Sequence, residues 1–364
     1  MKKITFLIAV LTILFSCTKK TDNVQLEPVN EETTGQKKNI IFLIGDGMGL
    51  AQISGARTVN NDQLNILRCE YIGIQSTHAA DEYVTDSGAS GTAMSCGQKT
   101  NHYTVGVDVD GNPLTTILEM AENNDLSTGL ITTSHIAHAT PAVFYAHNTD
   151  RFDYESVAYE LISKDVDFFM GGGQKYFDQR TDELNLIDSL IAKEYQVVNN
   201  LSQISGDKKV ACLISEDHPP SYTEGRGDVL PNSVEIALNR LKKNDNGFFM
   251  MVEGAQIDWA CENNEQDYLI AEMLDFDNAV GKALDFAESD GNTLVVITGD
   301  HETGGYALVD GDLDANTVAG EFVTFHHTGT MIPVFAFGPG AEEFSGVYEN
   351  TQIFYKFKQY FDFN

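Results

Sequence analysis

Apolar residues fall into two patterns along this chain, and the patterns alternate. The first is a short, nearly unbroken run. Asn39-Ile40-Ile41-Phe42-Leu43-Ile44, Gly129-Leu130-Ile131-Thr132-Thr133, Phe248 to Val252 and Leu294 to Thr298 all have this form. Such runs predict strands buried on both faces, as in a parallel sheet covered by helices. Ile72 to Thr77, Val166 to Met170 and Pro333 to Phe337 extend the set, the last being the final strand predicted. The second pattern places apolar residues three and four apart. It predicts helices at Leu114–Asn123, Phe152–Ser163, Val234–Lys243 and, most clearly, Tyr268–Ala287, where Leu269, Ile270, Met273, Leu274, Val280 and Leu284 form a stripe. A helix also starts at Leu50, Asp178–Asn199 reads as a polar helix with its connection, and Asp217–Asp228, rich in Pro, Gly and charge, as a surface loop. Strands alternating with helices predict an α/β fold: a doubly wound, mostly parallel sheet flanked by helices. The Val309–Thr324 stretch leaves room only for a small insertion near the site.

The N-terminus departs from both patterns. Met1-Lys2-Lys3 precedes the apolar run Ile4 to Phe15, which is shorter than the about 20 residues a spanning helix needs. Leu14-Phe15-Ser16-Cys17 resembles a bacterial lipoprotein cleavage box, although Phe15 is bulky for it. The expected organisation is a signal peptide over residues 1–17 ending at a lipidated Cys17, a disordered tether over 18–38, and one catalytic domain over 39–364. That implies an exported protein anchored by its lipid at the bacterial cell envelope, in the periplasm or on the outer membrane. An ordinary cleaved signal is the alternative. With 23 Lys and Arg against 54 Asp and Glu, the net charge of −31 disfavours a nucleic-acid partner or an anionic lipid surface. Cys69, Cys96, Cys212 and Cys261 would be free to pair in an exported protein, and spacing does not say which.

Several of the buried strands run straight into polar, chemically suggestive loops. Asp46 follows the first strand in Gly45-Asp46-Gly47-Met48-Gly49. Ser134-His135-Ile136-Ala137-His138-Ala139-Thr140 follows the strand at 129–133, Glu253 to Asp258 follows Phe248–Val252, and Gly299-Asp300-His301 follows Leu294–Thr298. In open α/β sheets the carboxyl ends of the strands form the ligand crevice. A fifth stretch, Val84-Thr85-Asp86-Ser87-Gly88-Ala89-Ser90-Gly91-Thr92-Ala93, reads as an extended approach, a tight turn and a helix of very small residues. Ser87 then sits at a helix start, where free backbone N–H groups and the positive end of the dipole suit a phosphate oxyanion. Gly88 and Gly91 each cost about 1 kcal/mol of helix propensity, so a close neighbour is expected there.

These motifs, in this order from about Asn39 to Phe337, resemble the alkaline phosphatase family. The resemblance implies hydrolysis of small-molecule phosphate monoesters through a phosphoserine at Ser87, assisted by two zinc ions and one magnesium. By the same resemblance, Asp46, Asp300 and His301 would hold the zinc that activates Ser87. Asp46 would also bridge to the magnesium, completed by Thr140 and Glu253, oxygen donors that suit a hard cation. Asp258, Glu262 and His327 would hold the second zinc, His327 being preferred to His326 because it precedes Thr328-Gly329. Arg151, eleven residues after Thr140, would grip phosphate by a bidentate fork. A homodimer is compatible with this reading.

The chain departs from the family pattern at Glu262, where a histidine is usual. On a helix Glu262 still shares a face with Asp258. The carboxylates Asp46, Glu253, Asp258, Glu262 and Asp300 would carry −5 against +6 from the three cations, leaving +1 where a histidine would leave +2. An oxygen-rich site is less selective for zinc, so the metal held by Asp258, Glu262 and His327 is left open. His138 stands where some members have an aspartate. The rival readings are a phosphodiesterase or sulfatase of the same superfamily, and a lipid-anchored phosphate- or metal-binding protein whose turnover Glu262 has impaired.

Overall fold

The computed structural model describes residues 37–364. The expected signal peptide, Cys17 and nearly all of the expected tether lie outside the described residues. Fourteen strands are present among the described residues: β1 (Lys38–Gly45), β2 (Tyr71–Ser76), β3 (Ser127–His135), β4 (Phe168–Gly172), β5 (Gln196–Val198), β6 (Val210–Leu213), β7 (Gly247–Gly254), β8 (Thr293–Gly299), β9 (Glu302–Thr303), β10 (Ala307–Asp312), β11 (Thr317–Glu321), β12 (His327–Thr328), β13 (Ile332–Phe337) and β14 (Gly346–Glu349). Ten of them form one sheet in the order β14-β2-β13-β8-β1-β7-β3-β4-β6-β5. β13 runs against both neighbours, and the other pairs are parallel. This is the doubly wound α/β sheet that the alternation predicts.

The unbroken apolar runs have a direct cause in this sheet. Along β1, Ile40, Phe42 and Ile44 enter the core on one face, while Ile41 and Leu43 enter the core on the other. All five are fully buried, worth on the order of 10 kcal/mol before chain entropy is counted. The second residue of β1 is polar and buried. The Asn39 amide donates to the Asn292 carbonyl at 3.1 Å, and its side-chain nitrogen donates to Asp290 and Thr293, each at 3.0 Å. At its other end Gly45 pairs with Gly254 of β7 and Gly299 of β8, so three strand ends lie level. The helix Gln266–Asp290 lays Leu269, Met273, Val280 and Leu284 on the β1–β8 region's second face and ends at Gly291 in the left-handed conformation.

Elsewhere the structure corrects the sequence reading. Within Asp178–Asn199, expected as a polar helix with its connection, the helix is confined to Leu186–Ala192 and the connection includes β5. The Asp217–Asp228 loop contains a helical turn, Tyr222–Arg226, and buries Arg226 against Glu272 and, at 2.8 Å, Asp275. β14 and a helix at Thr351–Phe361 follow the strand expected to be last. The Val309–Thr324 stretch forms a small exposed hairpin, β10 with β11. The four cysteines after Cys17 are all buried and free.

Candidate active site

The level strand ends deliver the carboxylates. Asp46 directly follows β1, its amide donating to the Gly254 carbonyl at 3.1 Å. Gly47 has φ +74, and a Cβ there would lie 2.9 Å from Asp258 Cα. Only glycine lets the turn pass this close to the Gln256–Glu262 helix that carries Asp258. The Gly47 amide in turn donates to Asp300 Oδ1 at 3.1 Å, tying the turn to the end of β8. His301 follows, with Nε2 3.3 Å from both Asp46 Oδ1 and Asp300 Oδ2. His327 stacks on His301 at 3.5 Å between ring centroids and points Nε2 at Asp258 Oδ1, 3.6 Å away. Its Nδ1 is 2.8 Å from the Thr85 carbonyl, which fixes it as the N–H and leaves Nε2 as the lone pair. His326 lies exposed on the rim. Thr140, in the Ala139–Ala142 helix after β3, donates to Asp46 Oδ2 at 3.4 Å.

These donors fall into three groups, each with one ligating atom per residue mutually within 4.8 Å: Asp46 with Asp300 and His301, Asp258 with His301 and His327, and Asp46 with His138 and Glu253. Glu262 stands at the edge of the second group. Its Oε1 is 4.0 Å from His327 Nε2, and its side chain is 44% exposed. His138 enters the third group by one of its ring nitrogens.

Ser87 opens a ten-residue helix, Ser87–Cys96, that is buried throughout. Its Oγ is 3.4 Å from His301 Nε2. The two helix glycines have the expected neighbours: a Cβ on Gly88 would meet the Thr104 carbonyl oxygen at 2.5 Å, and one on Gly91 would meet Val143 Cγ2 at 2.8 Å. The free amides expected at the helix start are largely taken, however. Asp86 caps the helix by accepting from the Gly88 and Ala89 amides. Of the first three amides, that of Ser87 is the one left for a ligand.

Asp86 is the functional residue that the sequence reading missed. Its Oδ2 also accepts from Arg151 Nη1 at 2.7 Å, and its Oδ1 from the Tyr103 amide at 3.2 Å. Burial opposes its ionisation, but Arg151 and the amides outweigh it and hold its pKa below the usual carboxylate range. Arg151 is 6% exposed, and its main-chain amide is fixed by the Tyr103 carbonyl. Tyr103 itself adopts φ +63, a strained conformation for a bulky residue. No sequence spacing links Asp86 to an arginine 65 positions away.

The electrostatics call for cations. Burial, then the charges of Asp300, Asp258 and Glu253, push Asp46 well above the carboxylate range. Burial likewise raises Asp258 and Asp300, and brings Glu253 to about 7. Burial holds the His301 and His138 imidazoles neutral, the ligating form. Asp46 Oδ1, Asp300 Oδ2, Glu253 Oε1 and His138 Nδ1 are buried with no hydrogen-bond donor or acceptor. Converging carboxylate oxygens left unpaired in this way fit metal ions, which would satisfy them at once. The crevice above them has a volume of about 420 Å³ and is lined by Ser87, Tyr103, Arg151, Phe152, Trp259 and His327 among others. A larger cleft, about 680 Å³, lies elsewhere around Asn200, Pro219 and Asn232 and holds none of these groups.

The sequence model of the alkaline phosphatase family matches residues 37–320. The chain belongs to that family. Alkaline phosphatase 3 of Bacillus subtilis is 31% identical to it over 95% of this chain and 94% of its own. The alkaline phosphatase of Escherichia coli K12 is 31% identical over 88% and 85%. The solved alkaline phosphatase from the Antarctic bacterium TAB5 is 40% identical, with a TM-score of 0.86 over 90% of this chain and 99% of that one. A histidine-to-glutamate variant of the TAB5 enzyme has been solved with magnesium bound in its M3 site. As an alkaline phosphatase the chain is a phosphomonoesterase. His327 lies beyond the matched stretch, so its place in the site rests on the stacking on His301 and the approach to Asp258.

Proposed function

We propose that this alkaline phosphatase hydrolyses monoesters in two displacements through a phosphoserine at Ser87, with two zinc ions and one magnesium as cofactors. The observation that carries the reading is Ser87 Oγ lying 3.4 Å from His301 Nε2, beside buried carboxylate oxygens that have no hydrogen-bond partner. Asp46, Asp300 and His301 would hold one zinc. Asp258 and His327, with Glu262 at their edge, would hold the other, and Asp46, Thr140 and Glu253 the magnesium, with His138 beside it. When bound, such ions act as Lewis acids, lowering the pKa of oxygen nucleophiles and offsetting the charge of a phosphoryl group in transfer.

The chain's own residues supply position and charge. Arg151, held by Asp86 at the crevice wall, offers its guanidinium to the phosphoryl oxygens. The Ser87 amide adds a donor at the helix start. Ser87 Oγ forms a bond to phosphorus as the ester oxygen leaves to become the alcohol. Water then displaces Ser87, giving inorganic phosphate and the free serine. Gly88 and Gly91 let the helix behind Ser87 sit close against Thr104 and Val143.

Ser87→Ala tests the reading. It should abolish the acid-stable phosphoserine trapped from labelled substrate and lower kcat by several orders of magnitude, with metal content unchanged. Turnover at the wild-type level in this variant refutes covalent catalysis at Ser87.

A further inference from the structure

A second cluster of donors lies on the flank of the crevice. β3 ends at His135, and the loop after β6 carries Asp217 and His218. One ring nitrogen each of His135 and His218 and a carboxylate oxygen of Asp217 lie within 4.8 Å of one another. The two rings stack at 4.4 Å between centroids. His135 is fully buried, and neither of its ring nitrogens has a hydrogen-bond partner. A neutral imidazole must present one N–H and one lone pair, so a buried ring with both unmet needs an explanation.

The backbone is built to bring these residues together. A Cβ on Gly172 would lie 2.0 Å from the Asp217 carbonyl oxygen, and one on Gly173 2.7 Å from His135 Cβ. The Gly173 amide donates to the Asp217 carbonyl at 2.8 Å. The glycine turn after β4 thus lets the Asp217-His218 loop close against His135.

We propose that His135, His218 and Asp217 form a divalent-cation site, separate from the three groups around Asp46. Two imidazole nitrogens and one carboxylate oxygen suit zinc, with a fourth position open on the side of the exposed Asp217. Burial is the main reason that both imidazoles resist protonation, and the neutral ring is the ligating form. Two present contacts are exchanged on binding: Asp217 with Lys175 at 2.6 Å, and the His135 amide with His218 Nδ1 at 3.2 Å. Lys175 lies near the surface and can turn to solvent. The His138 ring, 5.2 Å from that of His135 and 5.7 Å from that of His218, connects this cluster to the Asp46, His138 and Glu253 group. The proposal does not depend on Ser87 chemistry.

The test is zinc stoichiometry of the purified holoenzyme after equilibrium dialysis, for wild type, His218→Ala and Asp217→Asn, with circular dichroism as the control for folding. Wild type should hold one more equivalent per chain than His218→Ala at saturating zinc. Asp217→Asn, an exposed and conservative change, should raise the half-loading concentration of that equivalent at least tenfold. Equal equivalents in wild type and His218→Ala, or an unshifted loading curve in Asp217→Asn, overturns the site.

Discussion

Replacing Asp86 by Asn separates the cap of the Ser87 helix from the anchor of Arg151. The carboxylate takes four N–H donors, two on each oxygen: Ala89 and Tyr103 on Oδ1, Gly88 and Arg151 on Oδ2. An amide has one accepting oxygen, so in either orientation its NH2 group faces two donors. With the oxygen kept toward Ala89 and Tyr103, one cap bond of about 1 kcal/mol and one charge-assisted bond of about 1.5–3 kcal/mol are lost. The loss is about 3 kcal/mol, and Arg151 stays buried without its counter-charge. In a domain of this size that lowers the melting midpoint by about 4 °C. If half of it falls on the orientation of the guanidinium, inhibition by inorganic phosphate weakens about tenfold. The assays are thermal unfolding at fixed metal concentration, and phosphate inhibition of monoester hydrolysis, with metal content measured alongside. An Asp86→Asn enzyme that keeps both its midpoint and its phosphate inhibition constant would show that Asp86 does not position Arg151.

Gly88→Ala should lower kcat about 100-fold by driving the Ser87 helix off the Thr104 carbonyl, whereas Gly91→Ala, which meets the Val143 side chain rather than backbone, should be much milder; equal kinetics in the two variants contradict this. Glu262→His should retain zinc longer during dialysis and lower the pH optimum, because imidazole favours zinc more than carboxylate does; identical retention means that Glu262 is no ligand. Glu122 is brought to about 7, chiefly by burial, against about 4.5 in an unfolded chain. A carboxyl whose folded pKa is raised costs stability as pH rises from about 4.5 to 7, and the cost is complete above that. With the side chain partly solvent-screened, Glu122→Gln should gain about 1–2 kcal/mol in urea unfolding at pH 8 and nothing near pH 4.5; a gain independent of pH assigns the effect elsewhere.

The central sheet was legible because a strand covered on both faces leaves a continuous apolar run, and β1, β3, β7 and β8 all do. The loops that carry Asp46, Thr140, Glu253 and Asp300-His301 were legible for the same reason, because each follows such a run, whereas the roles of these residues came from the family resemblance. β5 and β6 escaped because three or four residues carry no measurable period. The Thr351–Phe361 helix did carry a stripe, Ile353, Phe354, Phe357 and Phe361, which was there to be read. The antiparallel setting of β13 and the buried Arg226 depend on partners far away in sequence. Asp86 is the instructive case. An aspartate before a helix is fully explained as a cap, and nothing local signals that its other oxygen anchors an arginine.

The two ends of β1 have a consequence for how the chain finds its alignment. Apolar on both faces, this strand gains nearly the same burial if it slides one residue along β7 or β8, so greasiness cannot choose its position. The choice falls to Asn39, whose amide must meet Asp290 and Thr293 in a dry interior, and to Gly45, which must stop level with Gly254 and Gly299. Displaced by a single step, the strand would strand a polar amide among hydrocarbon and turn Asp46 to the wrong side of the sheet. The asparagine at the far edge, a full strand's length from any phosphate, is thus the vernier against which the carboxylates are set.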